Sequence, residues 1–116
     1  MDIDKPWTST EKASTHDTIM PLLEAMYKEF KELSKKKPDA AISKSKINLA
    51  NRLLQKVRFV LGDEESIDFL DLIEEDDVPQ ASDVTLMLSQ YVAAMESFHN
   101  KYYGWNGSDD VWFIEN

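Results

Sequence analysis

The sequence predicts an all-α fold, a small bundle of three long helices and one short acidic helix, ending in an aromatic tail. Three observations predict it. Large apolar residues recur at spacings of three and four over most of the chain. Glycine (three) and proline (four) are scarce, which argues against a fold of many hairpins. With 116 residues and a 42% apolar fraction, the chain has room for one domain and one core.

Residues 1–14 show no apolar period and read as an N-terminal arm, with Ile3 and Trp7 as its large apolar groups. The helical bundle is expected over 15–104. Ile19, Leu22, Leu23, Met26, Phe30 and Leu33 form the stripe of a first helix. Thr18 suits its N-cap and places Pro21 in the first turn, where a missing N–H costs little; Thr15 is the other start. Lys35-Lys36-Lys37-Pro38 ends it with cations at the negative end of the dipole.

A second helix is expected between Asp39 and Gly62. Ile42, Ile47, Leu49, Ala50, Leu53, Leu54, Val57, Val60 and Leu61 give it a wide apolar face. The short link at Pro38-Asp39 makes the first two helices antiparallel neighbours. In the run 63–75, acids lead and Ile67, Leu70 and Ile73 recur every third residue, with Phe69 and Leu72 beside them. That reads as the short acidic helix. In the last helix, Val84, Leu88, Tyr91, Met95, Phe98 and Tyr102 fall 4-3-4-3-4, a heptad-like seam with Ser82 or Asp83 as cap and Gly104 as stop. The seam suits an internal core first and a homodimer second. Residues 105–116 form the tail: a turn, then a β-like Val111-Trp112-Phe113-Ile114 with no evident partner strand. It is expected to pack on the bundle.

The charges are segregated. Residues 28–58 carry ten basic groups against three acids, and residues 63–83 carry ten acids and no base. The net charge of −9 disfavours nucleic acid and anionic lipid as default partners. Either the two segments neutralise each other inside the fold or one or both of them face a partner. The run without charge through an apolar segment, Val84 to Met95, is too short to span a bilayer, and the acidic start shows no secretory pattern. The expectation is a cytoplasmic protein with no membrane partner.

The chemistry-bearing groups are few. Cysteine is absent, which excludes thiolate metal sites, disulfides and a cysteine nucleophile. There is no nucleophile elbow, no phosphate-binding glycine loop and no calcium-loop pattern. Glu96 and His99 form a Glu-x-x-His pair that can share a metal ion, but the second pair of a di-metal bundle is missing. No cofactor is expected.

Three readings follow. The first is a non-catalytic, acidic protein-binding module that captures a basic surface of a partner, in the manner of an inhibitor, an immunity- or antitoxin-like factor or an accessory subunit. Its contacts are Glu64, Glu65, Asp68, Asp71, Glu74, Glu75, Asp76 and Asp77, with Trp105 and Trp112 as aromatic anchors. The second is a nucleic-acid-binding accessory protein using Lys35, Lys36, Lys37, Lys44, Lys46, Arg52, Lys56 and Arg58. The third is a small metalloenzyme around Glu96 and His99.

Overall fold

A computed structural model describes residues 6–115. The first five residues of the expected arm, Ile3 among them, lie outside them. The chain forms three α-helices, α1 (Thr10–Lys36), α2 (Lys44–Val60) and α3 (Ala81–Tyr102), and a two-stranded antiparallel sheet, β1 (Tyr103–Trp105) with β2 (Asp110–Trp112). It is therefore mostly helical rather than all-α.

Helix α1 packs along both α2 and α3. It starts at Thr10, well before Pro21, so neither Thr18 nor Thr15 is its cap. Ser9 is the N-cap, and its hydroxyl accepts from the Lys12 N–H, an interaction worth about 1 kcal/mol. The start is fixed by a partner distant in sequence: Thr8 donates its N–H to the Phe113 carbonyl and accepts from the Glu115 N–H. Pro21 thus sits inside a helix, where it removes one backbone bond. Tertiary packing of Ile19 and Leu23, both buried, holds the helix together around it.

The hydrophobic core draws on all three helices. The whole seam of α3, Val84, Leu88, Tyr91, Met95, Phe98 and Tyr102, is buried in it. From α2 come Ile47, Ala50, Leu54, Val57 and Val60. Each such aliphatic side chain removed from water contributes about 1.5–3 kcal/mol. Two residues expected in the core are outside it, Leu22 and Leu49, both exposed.

Helices α2 and α3 both run antiparallel to α1. Thr85 near the start of α3 donates to the Phe30 carbonyl near the end of α1, while His16 near the start of α1 meets the Met95 carbonyl. The link from α2 to α3, residues 61–80, must therefore travel back along the molecule. It does so as two short 3₁₀ turns, Glu65–Phe69 and Glu75–Asp77, joined by extended chain. We call it the strap. The expected acidic helix does not form, because side chains of the long helices take up the strap's backbone groups. Arg58 donates to the Leu70 carbonyl and Tyr91 to that of Asp71. The Asn51 amide grips Ile73 twice, donating to its carbonyl and accepting its N–H, each at 2.9 Å. Leu70 and Ile73 point inward, and Asp71 between them points out. The two inward residues are three apart, so the strap does not keep the strict two-residue alternation of a strand.

The strap ends by clipping onto the α1–α2 loop. Ile42 N–H bonds the Pro79 carbonyl, and the first N–H groups of α3, Ala81 and Ser82, bond the Ala40 and Pro38 carbonyls. Gln80 is the N-cap of α3, and Asp83 accepts its N–H at 3.0 Å from the third helical position. Helix α3 then stops at Tyr102, and Gly104 pairs with Val111 in the hairpin. The β-like tail segment thus has a partner, hidden in what reads as the last turn of a helix. Phe113 is buried and meets Trp7 edge-on at 6.1 Å between ring centres.

Candidate functional site

The strap turns its acidic side chains to solvent because its apolar ones, Leu70 and Ile73, are committed to the core. Glu65, Asp68, Asp71, Glu74, Asp76 and Asp77 are exposed, and none forms an ion pair among the described residues. The other acids of the run differ. Glu64 is half-buried, 3.0 Å from the Lys101 ammonium, and accepts the Tyr102 hydroxyl at 2.8 Å. This pairing raises the pKa of Lys101. Glu75 is half-buried with Lys44 at 3.3 Å. Asp63 meets Lys12, whose ammonium holds the carboxyl below the usual range.

Of the basic segment, then, one ion pair reaches the acidic run, Lys44 to Glu75. Arg58 meets the strap through a backbone carbonyl instead. Lys35 pairs within its own helix with Glu32. Lys36, Lys37, Lys46, Arg52 and Lys56 are exposed. The two charged segments lie close, but most of their charge faces water.

Two apolar residues stand out among the carboxylates. Phe69 is 80% exposed, directly after Asp68, and Val78 is 65% exposed, directly after Asp77. Val78 also adopts φ 49°, a left-handed conformation that a β-branched residue rarely enters. In the sequence, Phe69 looks like part of an amphipathic helix. In the short 3₁₀ turn that forms instead, it ends the turn facing solvent.

The two tryptophans part company. Trp105, on β1, is 56% exposed. Trp112, on β2, is half-buried among His16, Phe98, His99 and Tyr103, with ring centres 5.1–5.9 Å away, and donates its Nε1–H to Asp17 at 3.0 Å. It pins the hairpin to the helices.

Glu96 and His99 lie elsewhere, in a groove between α1 and α3 that also holds His16 and Asp17. His99 stacks on Tyr103 at 4.4 Å and on His16 at 5.6 Å. Burial pushes the His16 pKa down, against an opposing pull from its bond to Met95. Among the described residues, no three imidazole or carboxylate groups gather to hold a metal ion, and no helix is long and apolar enough to cross a membrane. Comparison of the chain with protein-family models, with curated proteins and with solved structures gives no match.

Proposed function

We propose that this chain is a non-catalytic protein-binding module, an inhibitor, immunity- or antitoxin-like factor or accessory subunit. Its strap captures a basic surface on a partner protein. The observation that carries the reading is Phe69, exposed in the middle of unpaired carboxylates on a backbone segment that is itself firmly tethered. Carboxylates speed the encounter and select the partner's sign, while an aromatic side chain on a tethered backbone supplies the desolvated contact that slows release. Asp68, Asp71, Glu74, Asp76 and Asp77 are the steering charges. Phe69 and Val78 join Trp105 as apolar contacts, and Trp112 braces the hairpin that presents Trp105.

The test is a pull-down with the tagged full chain at low salt, eluted with a salt gradient and read by mass spectrometry. The expected result is one stoichiometric protein, released at moderate salt and not retained by an Asp68→Lys, Asp71→Lys, Glu74→Lys variant. A clean bait, or a partner held equally by the variant, overturns the reading.

A further inference from the structure

The groove between α1 and α3 has a volume of about 480 Å³ and lies on a different side of α3 from the strap. Its polar lining is three carboxylates, two imidazoles and the Asn100 amide. Asp17, Glu24 and Glu96 bring three carboxylates, and no lysine or arginine lines it. Glu24 and Glu96 form no ion pair among the described residues.

His16 sharpens the picture. It is 4% exposed. Its Nε2 lies 2.9 Å from the Met95 carbonyl oxygen, which can only accept, so Nε2 carries the proton and Nδ1 presents a bare lone pair. That Nδ1 is buried without a hydrogen-bond partner. Asp17 Oδ1, another acceptor, lies 3.9 Å from it. A buried acceptor left unpaired is costly, and burial keeps this imidazole from solving the problem by taking up a proton. Pro21 adds to the imbalance: it lines the same groove and has no N–H to offer the Asp17 carbonyl four residues back. His16 Nδ1 and Asp17 Oδ1 lie 3.9 Å apart, a span that two N–H bonds of one nitrogen can bridge.

We propose that this groove is a binding site for an organic cation, an alkylammonium or guanidinium group, whose N–H donors bridge His16 Nδ1 and Asp17 while Glu24 and Glu96 balance its charge and the His99 ring packs against it. The group has two sources, a free amine or the Lys or Arg side chain of another protein. The site is independent of the strap and of the function assigned to it.

The experiment is an amide and indole NMR titration of the full chain at constant ionic strength. One arm uses agmatine and the other a blocked Gly-Arg-Gly peptide. The expected result is saturable shifts at Asp17, Glu24, His99 and the Trp112 indole N–H, which shares Asp17, below about 10 mM ligand. A Glu24→Gln, Glu96→Gln variant, folded by its amide spectrum, should bind at least about tenfold more weakly. The Asp68→Lys, Asp71→Lys, Glu74→Lys variant should bind as the parent does. Saturation by agmatine alone assigns the site to a free cation, and saturation by the peptide assigns it to a protein side chain. No saturable shift in the groove with either ligand overturns the proposal. So does equal binding by the Glu24→Gln, Glu96→Gln variant, or a loss of binding on strap charge reversal.

Discussion

Val78 holds a left-handed backbone that costs an L residue about 1–2 kcal/mol, and it gains little packing in return because it is largely exposed. Asparagine enters this conformation more readily. Val78→Asn should therefore raise the unfolding free energy by about 1 kcal/mol, read by urea denaturation, with no change in the strap's tethers. A loss of stability would show that Val78 packs on something in the folded chain. His16 supplies a second residue-level prediction. Its folded pKa lies below the ordinary 6.5. Between those two values the unfolded chain binds the proton and the folded chain does not, so stability is full above 6.5 and is lost as pH falls through the window. Denaturation at successive pH values should show this loss in the parent. It should be smaller in His16→Gln, which keeps a donor for Met95 without titrating. Identical pH profiles would contradict the assignment.

At the scale of elements, legibility in the sequence follows the range of the interactions. The α3 seam was readable because helical period and burial coincide residue for residue, and every seam position is buried. The start of α1 was not, since Thr18 and Pro21 form a plausible local signal while the decisive contact joins Thr8 to Phe113. The same holds for the strap. Ile67, Leu70 and Ile73 fit a helical spacing, yet Asn51, Arg58 and Tyr91 satisfy its backbone from outside, and nothing local announces that. The candidate site inherits this limit. The acidic residues were evident from charge alone, whereas Phe69 became visible as a contact only when the expected α-helix proved to be a short 3₁₀ turn with Phe69 exposed at its end. The tether is testable directly. Asn51→Ala leaves the Ile73 N–H and carbonyl without their partners and should destabilise the chain by about 2 kcal/mol. It should also speed hydrogen exchange at the Ile73 amide. Unchanged exchange there would mean that Asn51 does not hold the strap.

At the scale of the whole molecule, the fold is 49 Å long and carries its charge in bands. Ten acids within residues 63–83 find three ion-pair partners among the described residues, Lys12, Lys101 and Lys44, and the others repel one another across the surface. Salt screens that repulsion over roughly a Debye length, about 10 Å at 0.1 M. Raising NaCl should therefore raise the melting temperature of the parent, and raise it less in the Asp68→Lys, Asp71→Lys, Glu74→Lys variant. Under the proposed function, this exposed acidic band is what steers the partner's basic surface. The measurement that tests this most directly is the association and dissociation kinetics between the full chain and its captured partner. The account predicts that reversing Asp68, Asp71 and Glu74 slows association at least about tenfold, with a strong salt dependence lost, while Phe69→Ala mainly speeds dissociation. Association that is indifferent to both the charge reversal and salt would contradict it.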